Sequence, residues 1–291
     1  GHNLGAPDYY DTDYGTGGSY DGMGDWCVMA SGSYNGPASG DKPAHHNAFT
    51  KWYYYGWCTP TLLTTGANVS MRNSVNFSTD FYYYTTTTSN EYFLLENRQQ
   101  TGFDSHLPGH GLLVLHVDQD YIDAHDGSND INASAHQGLY PKAAGGTIDA
   151  ASCPFPGTSA NTSFTDTTTP NSKSWANANT DKPIENIQEV ADVISFNFMT
   201  VVDITVSPAS FTETLGLNQT GQQTLTISND GESGSSLNYN ISKQVSARRN
   251  SLLDSGISNT KSRKQKKESI IDLSRAYCST DRKAVQQECR D

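Results

Sequence analysis

The chain has 291 residues and a formal net charge of −12, from 31 acidic and 19 basic side chains. Only 17% of the residues are charged, and tyrosine, threonine, serine, asparagine and glycine are abundant, which favours strands and turns over long helices. No apolar run approaches the roughly 18 residues of a membrane-spanning helix, so a transmembrane segment is excluded. No glycine-rich phosphate loop follows a strand pattern, which disfavours a nucleotide-binding enzyme.

The first eight residues, GHNLGAPD, place His2, Gly5 and Asp8 in the spacing HxxGxxD. This is the second half of the zinc signature HExxHxxGxxD, in which two histidines one helical turn apart face the same side. The glycine ends the helix in a left-handed turn, and the chain then returns a third ligand. The spacing therefore predicts His2 and Asp8 as zinc ligands, although by itself it also suits a helix end followed by a loop. The first histidine and the general-base glutamate would precede Gly1, and neither is present.

A loop rich in Asp, Gly and Tyr follows over residues 9–25. Asp11, Asp13 and Asp21 are candidate calcium ligands, because carboxylate oxygens suit a hard cation. One of these aspartates is also an alternative to Asp8 as the third zinc ligand. A solvated loop with no bound metal is the competing interpretation.

Met29, in the segment DWCVMASGS, follows the histidine motif at a suitable distance for a Met-turn, the methionine-bearing turn beneath the zinc of metzincin-like proteases. An ordinary core methionine is the alternative.

Four longer blocks follow the opening motif in a fixed order: YDGMGDWCVMASGSYNG (20–36), PAHHNAFTKWYYYGW (43–57), EYFLLENRQQTGFDSHLPGHGLLVLHVD (91–118) and FPGTSANTSFTDTTTPNSKSW (155–175). Together they resemble the immune inhibitor A family of secreted bacterial zinc metallopeptidases. The resemblance extends from Gly1 to about Met199.

The resemblance implies an α+β fold in which residues 1–200 form the C-terminal, β-rich part of a metzincin-like zinc peptidase domain. It implies an extracellular endopeptidase that hydrolyses protein or peptide substrates with zinc-activated water. It also implies that His2 and Asp8 bind the metal and that Met29 is the Met-turn residue. Because the general-base glutamate is not in the chain, no catalytic residue is assigned, and we expect the chain by itself to be inactive. A non-catalytic extracellular β-rich module that binds glycan or protein is the alternative.

Further along the chain, hydrophobic periodicity predicts a sequence of short elements. These are a helix at 44–55, strands around 69–71, 81–84, 92–95, 112–118 and 193–198, a loop at 118–132 and an irregular stretch at 152–174.

Several polar residues within these elements are candidate functional groups. Glu96 and His110 lie near strand ends and are candidates for the substrate cleft, although a salt-bridged surface cluster or an internal strut is favoured for Glu96. His116 and Asp118 share one face of a strand and predict a His–Asp pair. Whether Cys27 and Cys58 form a disulfide is left open by the sequence.

Residues 203–244 contain strand-length runs separated by turn signals, which predicts an incomplete immunoglobulin-like β-sandwich. Residues 245–291 form a basic tail, and its segment 247–291 holds 11 of the 19 Lys and Arg residues. Such a run can bind nucleic acid, but a foreign, disordered or helical appendage is the preferred interpretation. We therefore predict no nucleic-acid partner.

Overall fold

The computed structural model describes residues 1–199, 204–210, 212, 214 and 220–229, together with the residue pairs 277–278 and 287–288. The chain divides into two units, Gly1–Val201 and Val202–Asp291. The first unit is rich in strands and has few helices, in agreement with the predicted β-rich α+β class. Within the described ranges, no helix is long and apolar enough to cross a bilayer.

The strands of the first unit, in chain order, are β1 (Thr61–Leu62), β2 (Ala67–Met71), β3 (Tyr82–Thr85), β4 (Glu91–Arg98), β5 (Gly111–Asp118), β6 (Leu139–Pro141), β7 (Ile184–Val190) and β8 (Val193–Phe198). A five-stranded sheet has the order β1-β3-β4-β5-β6, in which β1 is parallel to β3 and the other pairs are antiparallel. A three-stranded antiparallel sheet has the order β2-β8-β7.

Strands β4 and β5 are buried along nearly their whole length, because apolar layers cover both faces of the larger sheet. Leu94 and Leu113 pack into a cluster with the N-terminal residues, including Trp26 and Met29. The alternate positions, such as Phe93, pack with the three-stranded sheet. The N-terminal segment therefore forms one layer over the sheet, and β2, β7 and β8 lie on the other side.

The helices are short. Three-residue or longer 3₁₀ turns occur at His2–Leu4, Gly24–Trp26, Ser31–Tyr34, Gly102–His106 and Asp126–Ser128. The predicted helix at 44–55 is present only as the π-helix Thr50–Tyr54 with two preceding helical residues. The predicted loop at 118–132 is wrong in part, because it contains α1 (Gln119–His125). Asp118 caps this helix by accepting a hydrogen bond from the Tyr121 N–H, which is the usual role of an N-cap aspartate.

In the second unit, strands β9 (Ile204–Ser207) and β10 (Thr226–Asn229) pair in antiparallel register. The short strands β11 (Tyr277–Cys278) and β12 (Gln287–Glu288) also pair. Most of the predicted immunoglobulin-like module and most of the basic tail lie outside the described residues, so both assignments stay predictions.

Candidate metal centre

The N-terminal turn has the local structure that its glycine predicts. His2–Leu4 form a single 3₁₀ turn, and Gly5 ends it with φ 91°, while its N–H donates to the His2 carbonyl. This left-handed conformation is readily available to glycine and strained for residues with a β-carbon. The chain then turns back, so that Asp8 approaches the His2 ring.

The side chains of His2 and Asp8 converge. The distance from His2 Nε2 to Asp8 Oδ1 is 3.3 Å, and His2 Nδ1 lies 2.9 Å from the Ala6 carbonyl oxygen. Because a carbonyl oxygen can only accept, Nδ1 must carry the proton in that bond, and Nε2 of the neutral ring presents a lone pair. In that form of the ring, a proton or a metal ion between Nε2 and Asp8 Oδ1 would bridge the two atoms.

The separation fits two ligands of a zinc ion. Atoms bound to one tetrahedral zinc at about 2.0–2.1 Å lie about 3.3–3.4 Å apart. The same distance also suits an ion pair between Asp8 and a protonated His2 ring. The hydrogen bond from Nδ1 to a backbone carbonyl is also the usual arrangement behind a metal-binding histidine.

The carboxylate of Asp8 is held from behind by Asn129, which the sequence did not suggest. Asn129 Nδ2 donates to Asp8 Oδ2 at 2.9 Å, and the Asp8 N–H donates to Asn129 Oδ1 at 2.8 Å. Asn129 is 121 positions further along the chain, just after α1. The cluster of Asp, Asn and Gly residues at 118–132 indicated a polar loop but not its partner.

Met29 lies beside the N-terminal turn. It is 6% exposed and sits in the turn after Cys27, whose carbonyl accepts from the Ala30 N–H. The Met29 carbonyl accepts from the Tyr9 N–H at 2.8 Å. Its thioether packs so closely against Gly1 that a β-carbon there would overlap the sulfur. Met29 thus packs against Gly1, beside His2 in the chain, and is part of the hydrophobic core, and its role as a Met-turn residue stays a prediction.

Of the three candidate calcium ligands, Asp11 and Asp13 lie close together, but the three do not form one group. Asp11 accepts from the backbone N–H groups of Asp13 and Tyr20, and Asp13 accepts from Gly15. In the part of the chain that the structure describes, no group of three His, Cys, Asp or Glu side chains is placed to hold a metal ion. The zinc candidates are thus a pair, and calcium binding by these aspartates stays a prediction without structural support.

The prediction that Glu96 lines a cleft is wrong, because its side chain is fully buried. It lies 3.4 Å from Arg98 Nη1, and Arg98 forms two further bonds to Asp104, at 2.8 and 2.7 Å. The cluster is an internal support of the sheet, as the competing interpretation held.

His110 is half exposed and pairs with Glu189 at 2.7 Å, and nothing among its described contacts links it to His2 or Asp8. The assignment of His110 to the substrate cleft stays a prediction.

The expected His116–Asp118 pair is replaced by a pair between His116 and Glu91 on the neighbouring strand. His116 Nε2 lies 2.6 Å from Glu91 Oε1, and Nδ1 lies 3.1 Å from the Tyr140 hydroxyl. Burial lowers the pKa of His116. Burial also disfavours ionised Glu91, but hydrogen bonds from His116 and the Trp175 N–H hold the pKa of Glu91 below its ordinary value. A neutral imidazole that donates to a carboxylate in the core is a structural element.

Cys27, Cys58 and Cys153 are buried free thiols, so Cys27 and Cys58 do not form a disulfide. Burial raises the pKa of Cys58 to about 11, and it raises the pKa of Cys27 as well. These thiols are therefore protonated and unreactive near neutral pH.

Residues 1–57 match the family model described as immune inhibitor A peptidase M6, catalytic domain. A search of curated proteins found no match. The matched segment contains the candidate ligands His2 and Asp8 and the candidate Met-turn residue Met29. The match supports a metallopeptidase relationship and a protease function, with protein substrates, for this part of the chain. Residues 1–57 are therefore similar to the catalytic domain of the immune inhibitor A peptidases.

Proposed function

We propose that this chain carries part of the active site of a secreted zinc endopeptidase of the immune inhibitor A type, in which His2 and Asp8 bind the zinc ion. The observation that supports this most strongly is the approach of His2 Nε2 to Asp8 Oδ1, at 3.3 Å, within the segment that matches the family. The acidic, polar composition with few charged residues is typical of an exported protein.

The protein's own residues have distinct tasks at this site. The Ala6 carbonyl fixes the His2 tautomer, so that Nε2 is free to bind a cation. Asp8 contributes an anionic oxygen, and Met29 supports the backbone beneath Gly1. A bound zinc ion supplies a Lewis acid that polarises a peptide carbonyl and lowers the pKa of a bound water.

Two ligands are fewer than the three that a catalytic zinc usually takes from protein. We therefore expect the 291-residue chain to bind zinc weakly and to show no measurable peptide hydrolysis. A chain that binds proteins or glycans without any metal would instead fit the alternative function, to which exposed aromatic side chains such as Trp57 (52% exposed) would contribute.

The experiment places the first half of the HExxHxxGxxD signature before Gly1. Extending the chain by His-Glu-Ala before Gly1 would place a histidine four residues before His2 and a glutamate three before it. We expect the extended chain to bind zinc more tightly than the 291-residue chain and to cleave casein in a reaction that a chelator stops. A matched extension, His-Gln-Ala, should keep the zinc affinity and lose the hydrolysis, because it lacks the general base.

Two results would contradict the proposal. One is chelator-sensitive casein cleavage by the unextended chain at the rate of the extended one. The other is zinc binding by the extended chain that His2→Ala leaves unchanged.

A further inference from the structure

We propose that Asn129 is a positioning residue that orients the Asp8 carboxylate toward the metal. This inference rests on the proposed function, because it assigns a role behind the same candidate ligand. Asn129 would not contact zinc or substrate, and it would act only through Asp8.

Asn129 and Asp8 form two hydrogen bonds, one to the Asp8 carboxylate and one from the Asp8 backbone. Asn129 Nδ2 occupies Oδ2 at 2.9 Å, which leaves Oδ1 facing His2 Nε2. Asn129 Oδ1 accepts from the Asp8 N–H at 2.8 Å. The Asn129 amide therefore bonds to both the backbone and the side chain of Asp8. The Asp8 side chain is 18% exposed, whereas the His2 side chain is 62% exposed. Asp8 is therefore the more enclosed partner of the pair, and Asn129 bonds both its backbone and its carboxylate, while Tyr10 also lies close to that carboxylate.

The backbone of Asn129 is itself held in place. Asn129 has a left-handed backbone with φ 57°, which asparagine tolerates better than most residues. The backbone N–H of Asn129 donates to the Asp126 carbonyl at 3.0 Å, and its backbone carbonyl accepts from Thr12 Oγ1 at 2.7 Å. On the other side, His125 Nδ1 and Asp130 Oδ1 lie 3.0 Å apart and close the turn after α1.

This arrangement has the chemistry of a support behind a metal ligand. A hydrogen bond to the distal oxygen of a ligating carboxylate fixes its rotation, and losing such a partner typically weakens metal binding by roughly 10- to 100-fold. Without Asn129, the Asp8 carboxylate can rotate, and its N–H and Oδ2 need new partners.

The chain offers a closely matched control in Asn90. Asn90 also has φ 57°, its Nδ2 also donates to an aspartate, Asp120 Oδ1, at 2.8 Å, and its carbonyl accepts a hydrogen bond from the Gln119 N–H at 2.9 Å. Replacing either asparagine with glycine keeps the left-handed backbone available and removes only the amide. Asn129→Gly removes two hydrogen bonds of the amide and Asn90→Gly removes one, so the first should lower stability somewhat more, and only the first should affect the metal.

The test uses the full 291-residue chain and measures zinc affinity by competition with a chromophoric chelator, together with the visible spectrum of the Co²⁺ form. We expect Asn129→Gly to weaken zinc binding by about 10-fold or more and to change the Co²⁺ spectrum. The zinc affinity of Asn90→Gly should stay within about two-fold of that of the parent chain. Thr12→Val, which removes only the bond to the Asn129 carbonyl, should produce a smaller loss in the same direction, and it serves as the test should Asn129→Gly not fold.

The outcomes separate this inference from the proposed function. If His2→Ala and Asp8→Ala abolish binding while Asn129→Gly and Thr12→Val retain the parent affinity and Co²⁺ spectrum, the role of Asn129 is refuted and the zinc site stands. If neither His2→Ala nor Asp8→Ala changes the affinity, the zinc site itself is refuted.

Discussion

Arg98 makes the sharpest test of how the fold supports the candidate site. Its side chain is fully buried and forms a bidentate pair with Asp104 at 2.8 and 2.7 Å. Arg98 Nη1 also donates to the Trp26 carbonyl at 2.9 Å, three residues before Met29. Although burial disfavours ionised Asp104, the Arg98 charge holds its pKa below the ordinary value. Arg98 thus joins β4 to the segment that carries Met29.

Arg98→Ala would remove the bidentate partner of Asp104 and the hydrogen-bonded cation beside Glu96, and would leave Lys51 as the remaining buried cation near these carboxylates. Removing one partner of a buried pair costs about 3–5 kcal/mol of unfolding free energy. In a unit of this size each kcal/mol shifts Tm by roughly 2–4 °C, so we expect Tm to fall by about 6–20 °C. Arg98→Lys, which keeps the charge but not the bidentate geometry, should have a Tm between those of Arg98→Ala and the parent chain.

Arg72 provides the matched control, because it also pairs bidentately, with Asp80, at 2.7 and 2.9 Å. Its side chain is 50% exposed, so Arg72→Ala should cost no more than about 1 kcal/mol. Urea unfolding followed by circular dichroism would compare the two variants. Equal losses for Arg98→Ala and Arg72→Ala would refute the reasoning that burial decides the cost.

Two further predictions concern Lys51 and Gly22. Burial lowers the pKa of Lys51 to about 8, so the native state loses this proton before the unfolded state does, and unfolding free energy rises with pH from about 8 to 10.5. Lys51→Met should therefore have an unfolding free energy up to about 3 kcal/mol above that of the parent chain at pH 7, and this difference should vanish by about pH 10.5. A difference in urea unfolding that does not change with pH would count against this prediction. Gly22 and Gly56 both have a left-handed backbone, but only at Gly22 would a β-carbon overlap a backbone atom, the Tyr9 carbonyl oxygen. Gly22→Ala should lower the unfolding free energy by at least about 1 kcal/mol more than Gly56→Ala, and equal losses would show that the overlap is relieved without cost.

The strands were the most predictable part of the fold. Apolar runs placed strands at Val69–Met71, Tyr92–Leu95 and 112–118, and each lies within a strand of the structure. Helix α1 was missed because its sequence, QDYIDAH, has one buried apolar residue, Ile122, and too little periodicity to stand out. The helix predicted at 44–55 was too long at its start, because residues 44–47 are not helical in the structure.

At the candidate site, local spacing predicted what lies close in sequence and missed what tertiary contacts supply. The HxxGxxD pattern indicated His2, Gly5 and Asp8, which a single turn brings together. Asn129 could not be predicted, because the pairing of Asp8 with a residue 121 positions away depends on the packing of the N-terminal layer against α1. The sequence left open whether Glu96 lies at the surface or inside, because its burial depends on the apolar layers on both faces of β4.

The central claim is that His2 Nε2 and Asp8 Oδ1 bind the same zinc ion, and X-ray absorption of the zinc-loaded 291-residue chain tests it most directly. The account predicts one imidazole nitrogen at about 2.0–2.1 Å and carboxylate oxygen at about 2.0–2.2 Å, and loss of the imidazole signal in His2→Ala. A spectrum dominated by sulfur, or one that His2→Ala and Asp8→Ala leave unchanged, would contradict it.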